Sequence, residues 1–467
     1  MLFNMINFTL IVITLGGSLN ERELKQLVDT NEVETIIVAS TDMQGRLCAK
    51  RLTARHFMEN QTAVGTCSVI LGWGQDHSED YGYDFTGWDL GYPDLIVKPD
   101  LKTMRWYPWF EKTILMFGDQ VGGNEETVEV SPRTILKKMI NKLKKYNLNP
   151  YFVSEIECYL LKETPTSAFD KGFVNLETKH RTMHPETLSR ISEDEEFLGP
   201  LRHNLELANV PVESVKAEYA PGQIEINLSY TDALTAADRH VLFKTGTKEQ
   251  ALKQNLIATF MAKPWHELGG SSCHIHLSLF DSNGKNVFFD KNTQNSTSEL
   301  MQYFLGGLIH YTNDTFLFFA PTINSYKRLI PNTFAPSGVS WGEDNRTVAF
   351  RLVGNEKSRR IENRIPGADI NPYLAYSAMI AAGLKGIENK IKVTDKPEAG
   401  NAYTKKVNKY LPQSLQEATK IFKESKFINE SFGDAVQKHY TNFGEQTVLA
   451  SKNIVTDFER RILLLDI

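Results

Sequence analysis

Residues 152–161, Phe-Val-Ser-Glu-Ile-Glu-Cys-Tyr-Leu-Leu, are apolar enough for a buried strand yet carry two carboxylates two positions apart, Glu155 and Glu157. Strand side chains alternate between faces, so both carboxylates point the same way and need a compensating cation. Upstream, the pattern predicts a short helix over 21–31, a strand over 35–39, a turn at Asp42-Met-Gln-Gly45 and a return strand over 46–52. Residues 65–110 alternate short apolar runs with Gly, Pro and Asp around Trp73, Trp88, Trp106 and Trp109, the pattern of a small, mainly β unit. Residues 118–129, glycine-rich and acidic, read as a linker. Ser131-Pro132 then opens a helix, with Ile135, Leu136, Met139, Ile140 and Leu143 at helical spacing up to Tyr146. Residues 162–196 are polar and read as loops plus a helix of no fixed register.

Three later stretches carry chemistry. Residues 215–228 read as two strands joined by a Pro-Gly turn, with Glu218 on one arm and Glu225 on the other. In residues 269–279, Cys273, Ile275, Leu277 and Leu279 alternate with His274, His276 and Ser278, so one face is apolar and the other presents two imidazoles. Cations then crowd the C-terminal half: Arg328, Arg346, Arg351 and the run from Lys357 to Arg364, where Arg360, Glu362 and Arg364 form a row on one strand face. Taken alone, two surface glutamates or a run of charge is usually a solvated face. The sum of the stretches argues otherwise.

Composition narrows the class. At 467 residues the chain suggests about two to three domains. Hydrophobic content of 41% and charged content of 23% are those of a globular protein, and a net charge of -5 gives no reason to expect nucleic-acid binding. Cys48, Cys67, Cys158 and Cys273 are scattered, which argues against a disulfide framework or zinc site and fits a reducing cytoplasm. The apolar run 6–15 has no preceding Lys or Arg and is too short to span a bilayer, so a poorly ordered extension or first strand is expected there rather than export.

Glu155, Glu157, Glu218, Glu225, His274 and Glu362 suit hard divalent ions. Oxygen-rich ligands with one His point to Mg²⁺ or Mn²⁺ rather than zinc. Arg328, Arg346, Arg351, Arg360 and Arg364 suit phosphates and a carboxylate substrate. Metals with many arginines are the parts of a phosphoryl-transfer site, and the P-loop pattern GxxxxGK[ST] is missing.

These residues resemble the glutamine synthetase family, in consistent order from Thr35 to Ile387. The resemblance is carried by Glu155-Ile-Glu157, Glu218-Tyr-Ala-Pro-Gly-Gln-Ile-Glu225, Gly-Ser-Ser-Cys-His274-Ile-His276, Asn-Ser-Tyr-Lys-Arg328, Asn345-Arg346-Thr, Arg360-Ile-Glu362-Asn-Arg364-Ile-Pro and Asn371-Pro-Tyr-Leu-Ala375. It implies an α+β chain, with a small N-terminal β-grasp domain over 20–125 and a large catalytic α/β domain over 126–467. It also implies a homo-oligomer of two stacked rings, a dodecamer in this branch, whose active sites are shared between subunits.

Matched by motif, Glu157, Glu218 and Glu225 would hold the metal nearer the glutamate, and Glu155, His274 and Glu362 the metal at the ATP phosphates. Glu157, Gly270, Arg328 and Arg364 match glutamate-binding positions. Arg346, Arg351 and Arg360 match phosphate-binding ones, while Tyr230, His276, Ser278 and Lys357 match positions around the nucleotide. Arg346, Glu362 and Arg364 are the residues the resemblance makes catalytic. The implied reaction phosphorylates the γ-carboxylate of L-glutamate with ATP and then displaces phosphate with an amine.

The departures matter most. The flap glutamate that serves ammonium in true glutamine synthetases is matched by Phe334, and the Phe-Asp-Gly-Ser-Ser motif is replaced by Gly65-Thr-Cys-Ser-Val69. The chain therefore resembles the γ-glutamyl amide synthetase branch, with Phe334 and the Trp73 region as candidate walls of an amine pocket. An aromatic amine such as aniline, already neutral near pH 7, is attractive; alkylamines, ethanolamine and polyamines stay open. Asp76, Glu79 and Asp80, near Trp73, read more simply as a solvated loop. Two alternatives stand beside this reading, a glutamine synthetase using ammonia and a non-catalytic oligomeric scaffold.

Overall fold

The structure, a computed structural model, describes residues 19–60, 64–79, 81–405 and 408–464. The apolar run 6–15 and Asp80 lie outside the described residues. Two sheets organise the chain. The first comprises β1 (Thr35–Thr41), β2 (Leu47–Thr53), β3 (Val64–Cys67), β4 (Asp94–Pro99), β5 (Arg105–Trp106) and β6 (Thr113–Val121) in the order β2-β1-β6-β4-β3, with β5 beside β6. Its β1–β6 pair is parallel and its other pairs are antiparallel.

The near-continuous apolar run of β1 follows from burial on both faces. Ile36, Val38, Ile114 and Met116 pack with Leu24, Leu27 and Phe57 of two covering helices, Glu21–Asp29 and Ala54–Asn60. Their alternates Ile37, Ala39, Leu115 and Phe117 join the large core shared with the rest of the chain. The expected linker over 118–129 is not one. Gly118, Asp119, Gln120 and Val121 complete β6, and a Cβ at Gly118 would fall 2.4 Å from the Val97 side chain. Glycine there permits close strand approach rather than looseness.

The second sheet holds the site. It contains β7 (Asn149–Leu161), β8 (Val212–Ala217), β9 (Gln223–Leu228), β10 (Thr231–Asp232), β11 (Ile257–Thr259), β12 (Cys273–Phe280), β13 (Trp341–Glu343), β14 (Phe350–Val353) and β15 (Arg360–Asn363). Its order is β13-β14-β15-β12-β7-β9-β8, with β10 and β11 also on β7. Only β13–β14 is parallel among the pairs of described strands in this sheet. Long helices, Pro132–Lys144, Ala233–Lys253 and Pro372–Glu388, cover the face bearing Cys273, Ile275, Leu277 and Leu279, all fully buried. Residues 162–196 contain the short helices Pro165–Asp170 and Leu188–Glu193, and the start of a third, Glu195–Leu207.

A buried ionic hub ties the first sheet to these helices. Arg133 donates to Asp100 at 3.0 Å, to Asp119 at 2.5 Å and to both oxygens of Asp238, while Tyr373 donates to the same Asp238. Three carboxylates around one buried guanidinium satisfy its donors, the condition for such a charge to be tolerated inside a protein.

Candidate active site

Sheet register brings the chemistry together. Across the strands, Asn227, Glu155 and His274 lie directly opposite one another on β9, β7 and β12. One step along, His276, Glu362 and Arg351 are opposite on β12, β15 and β14, and Glu157 faces Glu225. These residues share one face of the sheet because each lies an even number of positions from its neighbour on the strand. The predicted hairpin is present as β8 and β9, with Glu218 just beyond β8.

Two acidic triads result. The ligand atoms of Glu155, His274 and Glu362 lie within 4.8 Å of one another, as do those of Glu157, Glu218 and Glu225. In the first triad, His274 Nδ1 stands 3.5 Å from both carboxylates, and His276 Nε2 2.9 Å from Glu155. Glu362 is fully buried between Arg351, which donates at 2.9 Å, and Arg364, with which it also pairs. Burial would push its carboxyl up, but Arg364, His274 and His276 hold it down at about 2. Burial, then the Arg364 charge, lowers His274 to about 4, keeping it neutral and able to donate a lone pair.

The second triad is under-compensated. Burial and then the neighbouring Glu157 push Glu225 up to about 8, and burial followed by Glu218 raises Glu157. Lys216 is the cation at hand, its Nζ 2.5 Å from Glu218 and 3.5 Å from Glu225. Glu157 is held in place by the Ser272 backbone N–H at 2.7 Å and by Gln223 at 3.1 Å. Three crowded carboxylates with one lysine are the electrostatic complement of a divalent cation.

The arginines divide. Arg328 is buried and donates to the backbone carbonyls of Ile365 and Arg364 at 2.8 and 3.2 Å. It packs against Gly270, where a Cβ would come 2.7 Å from both Arg328 Cγ and the Ala262 oxygen. Arg360 donates to His276 Nδ1 at 2.9 Å, while Arg346 is exposed on the segment between β13 and β14. The run at 357–360 is not a uniformly solvated face: Arg359 is buried, paired with Glu343 at 2.6 and 2.9 Å.

Beside the first triad lies a cavity of about 310 Å³, whose lining includes Tyr230, His276, Ser278, Lys357 and Arg360. Sequence reasoning missed Tyr151, Asn227 and Phe280 on its wall. Tyr151 and Phe280 meet edge to face, with centroids 4.8 Å apart. The signal was available: Tyr151 precedes Glu155 by four positions and Phe280 follows His276 by four, which puts each on the site's face of its strand.

The Trp73 ring meets His77, whereas Phe334 meets Tyr219, with centroids 6.0 Å apart. Asp76 and Glu79 are exposed, in line with a solvated loop.

The family "Glutamine synthetase, catalytic domain" matches residues 129–463. The chain is 38% identical to gamma-glutamylethanolamide synthetase of Streptomyces coelicolor, covering 95% of each chain. It is 36% identical to glutamate–isopropylamine ligase of a Pseudomonas species, covering 94% of this chain and 96% of the other. Type-1 glutamine synthetase 2 of Dictyostelium discoideum is 39% identical over 86% of this chain and 78% of its own. A solved GmaS complex with ADP is similar at 25% identity and a TM-score of 0.81, covering 94% of this chain and 99% of its own.

Proposed function

Since the chain belongs to the glutamine synthetase family, we propose that it is an ATP-dependent ligase joining the γ-carboxylate of L-glutamate to an organic amine. The observation that carries this reading is the pair of acidic triads beside buried arginines; the family resemblance adds that Phe334 matches the position of an ammonium-binding glutamate.

Glu157, Glu218 and Glu225 would hold one divalent ion, Mg²⁺ or Mn²⁺, and Glu155, His274 and Glu362 another; the donors are oxygen-rich and mostly buried, and those of the second triad are short of positive charge, which fits such ions. When bound, these ions screen the negative charge of carboxylate and phosphate. Gly270, Arg328 and Arg364 would receive glutamate together with Glu157, and Arg346, Arg351 and Arg360 the phosphates. Tyr230, His276, Ser278 and Lys357, joined by Tyr151 and Phe280, would border the nucleotide in the 310 Å³ cavity. Of these, Arg346 and Arg364, with Glu362 ordering Arg364, are the residues proposed to act on the reacting groups.

The chemistry has two displacements. A γ-carboxylate oxygen of glutamate bonds to the terminal phosphorus of ATP, the bridging P–O bond breaks, and ADP leaves. The amine nitrogen then bonds to the γ-carbonyl carbon, the C–O bond breaks, and phosphate departs with that electron pair while nitrogen gives up a proton. Fixed arginines aimed at the transferring group lower its barrier without having to reorganise.

Residues 20–125 and 126–467 are proposed as the two domains, and a double ring of twelve copies as the assembly. Supporting the assembly, the helix Asp457–Leu463 exposes Phe458, Ile462 and Leu463, an apolar surface of the kind that another copy covers. No described helix is long and apolar enough to cross a membrane.

The direct test is phosphate release from ATP with glutamate and Mg²⁺ across ammonia, alkylamines, ethanolamine, polyamines and aniline. An organic amine outpacing ammonia is expected. Preference for ammonia would identify a glutamine synthetase instead, and silence across the panel would leave the scaffold alternative.

A further inference from the structure

We infer that Tyr219 and Phe334 together form the wall that receives the amine's organic group, and that this group is apolar. The inference rests on the ligase reading above and names the class of its second substrate.

The two rings come from separate segments, the β8–β9 turn and the loop after Arg328, and meet at 6.0 Å with a 35° tilt. Each is about half exposed, 52% for Tyr219 and 51% for Phe334. Aromatic side chains of this size gain most by burial, and a pair left half open offers its remaining faces to something else. The backbone strengthens the point. Phe334 has φ 56°, in the left-handed region where a bulky side chain is disfavoured. A strained aromatic held out toward solvent is the kind of outlier that marks a ligand contact.

Its location indicates which ligand. Tyr219 directly follows Glu218, a member of the second triad, and its backbone N–H donates to that carboxylate at 3.1 Å. The rings therefore border the triad assigned to the glutamate side, where an amine attacking the γ-carbonyl would arrive. The neighbouring carboxylate is already engaged by Lys216. A hydroxyl on the amine would meet two ring surfaces and lose its water, whereas an alkyl or aryl group gains contact there.

The test compares kcat/KM of the full-length enzyme for benzylamine, isobutylamine, ethanolamine, putrescine and ammonia, with ATP, glutamate and Mg²⁺ saturating. Benzylamine or isobutylamine should lead the polar amines by about tenfold or more, the discrimination that a few buried carbons supply. Tyr219→Ala and Phe334→Asn should each raise KM for the leading amine by about tenfold, more than they move KM for ATP, and narrow the preference. Asparagine tolerates left-handed backbone, so Phe334→Asn removes the ring without adding strain. An unchanged amine ranking in both variants would overturn the inference while leaving the ligase reading intact, as would a wild-type preference for ethanolamine or putrescine. Preference for ammonia, or no turnover with any amine, would overturn both.

Discussion

Glu362 shows how much one side chain can carry. It is fully buried, pairs with Arg351 and Arg364, and approaches His274 within 3.5 Å. Replacing it with alanine takes the carboxylate from Arg364 and leaves Arg351 with Asp344, and breaking a buried pair from one side costs about 3–5 kcal/mol. Glu362→Ala should therefore unfold at lower denaturant and lose ADP formation by at least about a hundredfold. Glu362→Gln, which keeps the volume, should recover much of the stability but little of the rate. Recovery of both would show that the charge is dispensable. The six triad residues stood out in the sequence because several stretches, each of which alone would read as a solvated face, place acids and imidazoles together on strand faces and match one family's motifs. Tyr219 was not, since an aromatic beside a turn looks like any exposed tyrosine until Phe334 is seen opposite it. Arg359 was hidden for the converse reason: inside a charge run, nothing local reveals that Glu343 waits in the fold.

At the scale of elements, register decides the site. The approach to β12 passes Gly270, whose missing Cβ lets Arg328 and the Ala262 carbonyl close to 2.7 Å of the space a Cβ would fill. Gly270→Ala should displace Arg328, raise KM for glutamate by about tenfold or more, and cost about 1–3 kcal/mol of stability from overpacking. Kinetics at varied glutamate and a denaturant titration check both; an unaltered KM would remove Arg328 from the glutamate side. The turn Glu356–Ser358, which carries Lys357, is anchored in the same manner by Arg359 on Glu343. Strands and the hairpin were readable from periodicity, but 118–129 was misread as a linker. Glycine and acid look flexible in sequence, whereas Gly118 serves as the close contact of β6 with β4.

The whole molecule is tied together by contacts far apart in sequence. His439, on the helix Asp434–Lys452, is buried beside Tyr83, with Nε2 2.8 Å from Met43 Sδ. Burial lowers its pKa to about 3, against 6.5 for an unperturbed histidine. The unfolded chain therefore takes up a proton that the folded one refuses, and stability is lost as pH falls from 6.5 toward 3. Between pH 6.5 and 5 the loss from this group is about 2 kcal/mol. Denaturant midpoints for the wild type and His439→Phe over that interval should show the shallower slope in the variant, and parallel slopes would contradict the assignment. Assembly belongs to this scale too. Deleting residues 457–464 should shift the mass seen by light scattering to smaller species, and an unchanged mass would mean that Phe458 and its neighbours cover no other copy.

What the sequence determined by itself was the inventory: which strands present acids, imidazoles and arginines, and on which face, because alternation along a strand is a local property. The division of the acids into two triads was already implied by the family resemblance; the tertiary structure decided how each is compensated. One has two arginines on Glu362 and the other a single lysine, because the strands from β8 to β14 are aligned in register. The Tyr219–Phe334 contact, too, appears only in the fold, since it joins two loops distant in sequence. Distances between strands depend on long-range pairing, which no window of sequence contains.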